Sequence, residues 1–399
     1  MRATAIRQLA EEHGPEGFLQ IQASLLEGKE LPNGRKERVR PEDFSIRALY
    51  EGLVGPVDEH LAYAQQGMGY HEVPVSESLT SSAFPSAVGM LVSAKVIEGY
   101  EGQGQGYIGD ELVETVPSRL RGERMVGFTS LQGPKVVEEG EEYQDSTFGE
   151  KYVIPTETKR GRLLSVTEEA VFHDQTGQIL ARASGIGDVM RQDKERRIVR
   201  GVADVASTVR VYRPSGTGVT LYHADRTNLL SAATPLVDWT DIQEVLAYHA
   251  ANMRDDREAD DENTTQPLVW MPKIILTAVE LAGNAARIVN AVEDRQTAAN
   301  SVIVTGNMSQ AIVPGIRALS SPFLDAAQGA DQWDDASDWL IGDFKRQFKY
   351  KEVWPLQVFR AAPGNDGQFR RDIVAEFKVR EYGDIYAADF RYVIKVNAV

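Results

Sequence analysis

The segment GQILARASGIGDVMRQDKERRIVRG, residues 177–201, is the most regular part of the chain. Its apolar residues fall mostly three or four positions apart, with charges on the other faces, which predicts a long amphipathic helix. At 1.5 Å per residue this helix is about 37 Å long. Gly185 and Gly187 weaken it locally but are candidates for a close backbone approach. The interleaved charges from Arg191 to Arg200 are expected to form a solvated, salt-bridged face.

The segment before this helix, residues 126–166, predicts an extended hairpin. Short β-prone stretches at 125–129, 152–155 and 163–166 flank an acidic, Gly-containing excursion from Glu138 to Glu150. An isolated two-stranded ribbon is only marginally stable in water. The hairpin therefore needs a surface on which to lie.

Residues 1–75 are polar and loosely patterned, apart from an apolar run from Phe44 to Val54. They are expected to form an arm that cannot bury itself within one subunit. A basic stretch is expected to be a solvated loop, with contact to nucleic acid or an acidic neighbour as the alternative; it contains Arg35, Lys36, Arg38 and Arg40. Within residues 76–125, helical spacing predicts a helix over 81–99.

Residues 233–350 predict a compact α/β lobe. A helix capped near Thr240 carries His249 on its apolar stripe. It ends at an acidic loop, residues 254–263, which lacks the ordered spacing of a calcium loop, so no metal is assigned to it. Beyond the loop, residues 268–270 are strand-like, and Pro272 with the apolar spacing to Ile288 predicts the next helix.

The last part of the chain, residues 351–399, is predicted to be β. Strands are expected at 354–359, at 373–379, where apolar and polar residues alternate, and at 392–396. Helices and strands do not alternate steadily as in repeated βαβ units, so the predicted fold class is α+β.

Composition limits the function classes. A chain of 399 residues with 42% hydrophobic and 26% charged residues can form two or three folded domains. The absence of cysteine excludes disulfides and thiolate metal sites. No apolar run is long enough to span a bilayer, and the first residues lack an apolar signal core, so neither membrane insertion nor secretion is expected. The net charge of −16 argues against a protein whose whole surface binds nucleic acid.

The search for catalytic motifs assigns no catalytic, cofactor-binding or metal-binding residue. Gly104-Gln-Gly106-Tyr-Ile-Gly109 matches the dinucleotide fingerprint as a string, but a helical pattern precedes it where the fingerprint needs a strand. A loop is the favoured interpretation. The six histidines show no zinc-protease spacing, and no nucleophile elbow or phosphate-binding loop occurs.

The order of arm, helix, hairpin, long helix, α/β lobe and returning strands resembles the major capsid proteins of tailed phages, and most of all the Mu-like head subunits. The local matches are LLSVTEEAVFHDQTG (163–177), DVMRQDKERRIVRGVAD (188–204), TPLVDWTDIQEVL (234–246), PLVWMPKIILTAVELA (267–282) and DIVAEFKVREYGDIYAADFRYVIKV (372–396). Each match is loose, and the specificity comes from their succession.

The resemblance implies a fold of the Hong Kong ninety-seven type. It maps an N-terminal arm to 1–75, a peripheral domain to 76–125 and 167–232 with a spine helix at about 177–201, an extended loop to 126–166, an axial domain to 233–350, and returning strands to 351–399. The last strand is a candidate for the axial sheet. No cofactor is implied.

The implied function is a structural capsid subunit without catalysis, which assembles into hexamers and pentamers of an icosahedral shell. The implied partners are copies of the chain, portal, scaffolding and decoration proteins, and packaged double-stranded DNA without sequence-specific contacts. The virion, assembled in the host cytoplasm, is the implied location. The alternatives are an encapsulin-like shell around cargo protein and, less favoured, a dinucleotide-dependent enzyme using Gly104–Gly109.

Overall fold

The computed structural model describes residues 3–31, 36–55, 83–102, 106–119, 122–128, 137–140, 142–143, 145, 150–205, 220–231, 235–254, 267–298, 301–324, 337–361 and 373–397. The chain divides into two compact units. Unit 1 contains Met1–Gln105, Lys159–Asp193 and Trp354–Tyr382, and unit 2 contains Gly106–Thr158, Lys194–Val353 and Gly383–Val399. No described helix is both long enough and apolar enough to cross a membrane.

The N-terminal residues of unit 1 form helices that join its core. Helix α1 spans Ala3–Glu27 with a kink at Gly14, α2 spans Ile46–Leu53, and α3 spans Ala83–Tyr100, which confirms the helix predicted over 81–99. The prediction that residues 1–75 cannot bury themselves is wrong for the described part, because Phe18 and Leu49 are fully buried. The kink at Gly14 and Pro15 interrupts the helical phase of α1, which hides its apolar face from a periodicity search.

The long helix is confirmed. Two short helices, α4 at Gly109–Leu112 and α5 at Glu168–Phe172, precede α6 at Thr176–Val202, whose residues up to Asp193 belong to unit 1. Gly187 supplies the predicted close approach, because a Cβ there would lie 2.1 Å from the carbonyl oxygen of Val96 on α3. Gly185 does not, since nothing lies within 4 Å of a Cβ at that position.

The sheet of unit 1 packs one face on these helices. In chain order, strands β1, Glu114–Pro117, β2, Met125–Phe128, and β3, Glu150–Val153, belong to unit 2, and β4, Thr158–Thr167, enters unit 1. Later in the chain, β11 spans Phe348–Arg360 and β12 Ile373–Ala387, and β12 lies between β11 and β4. Leu164, Val166, Phe377 and Val379 point into the core. The strands predicted at 354–359 and 373–379 are confirmed and are longer than predicted.

Unit 2 contains a five-stranded mixed sheet in the order β5-β13-β10-β6-β9. Its strands are β5 Leu229–Ser231, β6 Ile274–Thr277, β9 Arg317–Ser320, β10 Trp339–Gly342 and β13 Val393–Asn397. Helices α7, Trp239–Asn252, and α8, Ala282–Asn290, pack their apolar residues into the same cluster as the sheet residues Ile275 and Ile341. The last predicted strand is thus confirmed, paired with β10 and β5.

The remaining described elements of unit 2 are short. Strand β1 pairs parallel with β11 from Glu114 opposite Lys349, and β2 pairs antiparallel with β3 from Met125 opposite Val153. A second hairpin consists of β7, Glu293–Ala298, and β8, Ser301–Gly306. Short helices α9, Met308–Ile312, and α10, Phe344–Gln347, also belong to this unit.

Two predictions in the lobe are wrong. Residues 268–270 form no strand, and residues 274–277 are a buried strand where the start of a helix was expected, so the helix begins only at Ala282. The run Ile274–Leu276 is continuously apolar because it lies in the centre of the sheet, and periodicity cannot separate such a run from a buried helix. The cap of α7 is Asp238, two residues before the predicted Thr240.

Candidate functional site

The root of the β2–β3 hairpin is fixed by a buried ion pair. Lys351 on β11 has no exposed side-chain surface, and its ammonium contacts the Glu157 carboxylate, which is also buried. The same ammonium donates to the carbonyl oxygen of Glu123 at 3.2 Å, and Glu157 accepts from the Gly122 amide at 3.2 Å. A buried pair is held firmly only when its remaining polar atoms are also bonded, as they are here. The chain is therefore anchored on both sides of the hairpin.

Beyond this root several described apolar side chains of the hairpin are exposed. Val153 is buried in a core of unit 2, whereas Val126 is 58% exposed and both Tyr152 and Ile154 are also exposed. Tyr143, in the acidic excursion, is 88% exposed. Contiguous exposed apolar side chains on a monomer mark an interaction surface. The described part of the hairpin accordingly combines a base fixed by buried contacts with apolar side chains that are exposed.

The second half of α6 supports unit 2 through buried charges. The prediction of a solvated charged face is wrong for Lys194 and Glu195, which are both buried. Lys194 lies 3.4 Å from the Glu352 carboxylate and 4.6 Å from the ring centroid of Tyr350. Arg197 donates to the carbonyl oxygen of Gly383 at 3.1 Å. A charged helix face can thus be buried against a neighbouring strand. The sequence gives no signal that distinguishes such a buried face from a solvated one.

Glu195 occupies the place that the Gly104–Gly109 motif would offer to a phosphate. Its carboxylate accepts from the amides of Ile108 at 2.7 Å and Gly109 at 2.8 Å. A Cβ on Gly109 would lie 2.5 Å from that carboxylate, so the glycine is needed for this contact. Residues 103–105 lie outside the described residues. The element before the motif is helix α3, which confirms the sequence objection to a dinucleotide site.

The other sequence-predicted features do not converge on a site. The acidic loop lies outside the described residues except for Arg254, and no group of metal-binding side chains occurs in the described part of the chain. In the basic stretch, Lys36, Arg38 and Arg40 are exposed, as expected for a solvated loop, while Arg35 is not described.

His249 is buried on the apolar stripe of α7, as predicted. Its ring stacks on Trp270 with centroids 4.0 Å apart, and Nε2 donates to the carbonyl oxygen of Arg391 at 3.0 Å. Burial lowers the pKa of His249, an effect that this hydrogen bond partly opposes. The neutral imidazole therefore has a structural role in the lobe.

Sequence reasoning missed the ion pair at the root of the hairpin. Glu157 and Lys351 are separated by 194 positions. Neither stands out among the 59 carboxylates and 43 cationic residues of the chain. Only the tertiary structure brings the Lys351 side chain on β11 against the residues that flank the hairpin.

Comparison with known proteins gives one family. A family model described as phage capsid protein matches residues 150–396, which is more than half of the chain. No curated protein matches the chain.

Solved structures with similarity to the chain include the virus-like particle from Pyrococcus furiosus, at 10% identity over 77% of this chain and 98% of that chain, with a TM-score of 0.41. Gordonia phage Cozz is 14% identical over 73% of this chain and 86% of that chain, with a TM-score of 0.42. The holo-SrpI encapsulin complex from Synechococcus elongatus is 11% identical over 75% and 89%, with a TM-score of 0.38.

Proposed function

Because the chain belongs to the phage capsid protein family, we propose that it is a major capsid subunit, which assembles into the hexamers and pentamers of an icosahedral shell around packaged double-stranded DNA. As a member of this family it is a structural shell protein of the virion. Its charged groups serve assembly and stability, and it catalyses no reaction.

The observation that carries this proposal is the hairpin, whose root at Lys351 and Glu157 is buried and whose described side chains beyond the root are largely exposed. A ribbon of two strands gains little stability alone, so a fixed and exposed ribbon indicates that its partner surface is on another molecule. In a closed shell the same contact is repeated by symmetry, so a modest contact per subunit suffices. The hairpin of one subunit therefore lies against a neighbouring subunit.

The same proposal maps the domains. Residues 1–75 form the N-terminal segment, 76–125 and 167–232 the peripheral domain, 126–166 the extended loop and 233–350 the axial domain, with 351–399 returning to both. Portal, scaffolding and decoration proteins are the further partners, and assembly takes place in the host cytoplasm. The net charge of −16 suits an inner wall that faces DNA without binding it tightly.

Electron microscopy of the expressed protein tests the proposal, with a variant that lacks residues 129–149 as the matched control. We expect the full chain to form closed shells and the shortened chain, whose root is intact, to remain as small oligomers. Nucleic acid in shells purified from infected cells would agree with a capsid, and cargo protein in its place would indicate an encapsulin-like compartment. A full chain that stays monomeric at high concentration would contradict the proposal.

A further inference from the structure

Cations and aromatic rings alternate on the outer face of the unit 1 sheet. Arg380 on β12 lies between two rings, with its guanidinium carbon 4.3 Å from the centroid of Trp354 and 4.2 Å from that of Phe359. Lys159 on β4 lies 5.7 Å from the Trp354 ring, and Lys378 lies 5.7 Å from the Phe359 ring. These five residues form a cation–aromatic ladder across β4, β11 and β12.

The ladder cations form no ion pair with the carboxylates that the structure describes. Arg380 Nε donates to Gln357 Oε1 at 3.2 Å. Among the described residues, no acidic side chain forms an ion pair with Lys159, Lys378 or Arg380. Lys159 and Lys378 are exposed. Three cations lie beside aromatic rings and pair with no described carboxylate, in a chain with a net charge of −16, which points to an anionic ligand.

An anionic segment is present in the hairpin of the same chain. The acidic segment, residues 137–145, has the sequence VEEGEEYQD, with five carboxylates and no cation. Its described side chains Glu139, Glu142, Tyr143 and Asp145 are exposed. At about 3.3 Å per extended residue, Asp145 can lie up to about 26 Å from the anchored Val153, far enough to reach a neighbouring molecule.

We propose that the cation–aromatic ladder of one subunit binds the acidic segment of a second copy of this chain. The proposal rests on the proposed function, because it names the surface on which the exposed hairpin docks. The carboxylates pair with Lys159, Arg380 and Lys378, and Tyr143 adds a ring that packs beside the ammonium groups or on the exposed Leu163 of β4.

Charge and composition favour this ligand over nucleic acid. Nucleic-acid binding depends on many phosphate contacts from clustered cations. The ladder has three cations, and Glu376 on the same strand is also partly exposed. A short peptide with five carboxylates and one aromatic residue matches the ladder in both charge and ring content, whereas a long polyanion would extend over the acidic remainder of the chain.

Charge reversal in the full chain tests the contact. The ladder variant carries Lys159→Glu and Lys378→Glu, the segment variant carries Glu139→Lys and Glu142→Lys, and Lys159→Arg with Lys378→Arg is the charge-preserving control. At low ionic strength we expect each reversal to raise the concentration at which shells form by about tenfold or more. The control should assemble as the wild type does. Unchanged thermal unfolding of the unassembled variants shows that these exposed substitutions leave the fold intact.

Recombination of the variants identifies the two partners. A chain with all four reversals should assemble close to the wild-type concentration. An equal mixture of the two reversed variants should assemble at a lower concentration than either variant alone, because each then finds its complement on another molecule wherever the two alternate. A contact within one subunit could not be rescued by mixing, so a failure of the mixture would overturn the proposal.

The remaining outcomes separate this proposal from the proposed function. Wild-type shells together with normal assembly of both reversed variants would overturn the ladder contact and leave the capsid function standing. Normal assembly of the ladder variant with a reduced nucleic-acid content of its shells would overturn it in favour of nucleic-acid binding. A wild type that forms no shells would overturn both.

Discussion

At the scale of single residues, His249 connects the stability of unit 2 to pH. Its buried ring stacks on Trp270 and donates to the Arg391 carbonyl, and Arg391 itself pairs with Asp389 at 2.6 Å. Because the pKa of His249 is lowered in the folded protein, the unfolded chain binds more protons below about pH 6.5. The contribution of this group to stability is therefore complete above that pH and decreases as the pH falls.

His249→Phe keeps a ring on Trp270 and removes the titrating group. At pH 8 we expect a loss of about 1 kcal/mol from the missing hydrogen bond. The difference from the wild type should shrink between pH 7 and pH 5 in thermal unfolding scans. Equal slopes for the wild type and His249→Phe would show that His249 does not carry the dependence.

Lys351 illustrates how a single buried charge fixes an exposed element. Lys351→Met leaves Glu157 buried without its cation, and we expect a loss of about 3–5 kcal/mol. The double variant Lys351→Met with Glu157→Leu should recover much of that loss, because no charge then remains buried. Thermal unfolding of the unassembled subunits measures both effects, and a double variant as unstable as Lys351→Met would argue against the pairing.

At the scale of elements, the close crossing of α3 and α6 depends on glycines, which have no side chain to keep the backbones apart. Gly187 faces the Val96 carbonyl, and Gly99 faces the Ser184 carbonyl, where a Cβ would lie 2.1 Å from the oxygen in each case. Alanine at either position forces the two helices apart. The close crossing thus explains why glycine occurs inside a helix where it otherwise weakens the structure.

Gly185 provides a matched control for this crossing, two residues from Gly187 on the same helix. Gly187→Ala should destabilise unit 1 by about 1–3 kcal/mol through overpacking. Gly185→Ala should be neutral or stabilising by up to about 1 kcal/mol, since alanine favours the helix and meets no neighbour. Thermal unfolding compares the two variants, and equal destabilisation by both would contradict the crossing.

Elements with an uninterrupted pattern could be predicted from the sequence. Helix α6, helix α3, the hairpin strands and the C-terminal strands show clear periodicity and lie where it indicates. The pattern fails at α1, where the kink at Gly14 shifts the helical phase, and at Ile274–Thr277, where a central strand has no polar face. In both places tertiary packing decides the structure.

Of the candidate site, the sequence predicts only the extended hairpin and not the contacts that hold it. The sequence shows a long hairpin with little apolar content, but the buried pair at its root and the ladder on the sheet depend on contacts between distant strands. Lys159, Arg380 and Trp354 are ordinary strand residues in the sequence, and only the pairing of β4, β12 and β11 places them together. Contacts of this kind leave no local periodicity.

At the scale of the whole molecule, the cores of the two units and the hairpin differ in how much of their side-chain surface is buried. Each has a core of its own, while the hairpin keeps exposed apolar and acidic side chains outside both cores. In the proposed shell, copies of the same chain would supply the missing contacts, and repetition by symmetry multiplies a weak contact into a stable shell. Stability of the subunit and assembly of the shell are therefore separate properties that different substitutions affect.

An electron cryo-microscopy reconstruction of particles assembled from the purified chain tests this account most directly. We expect a closed icosahedral shell in which the hairpin at 126–166 of each subunit lies on the outer sheet face of its neighbour, with the acidic segment beside Arg380. Particles in which the hairpin folds back on its own subunit, or a protein that remains monomeric, would contradict it.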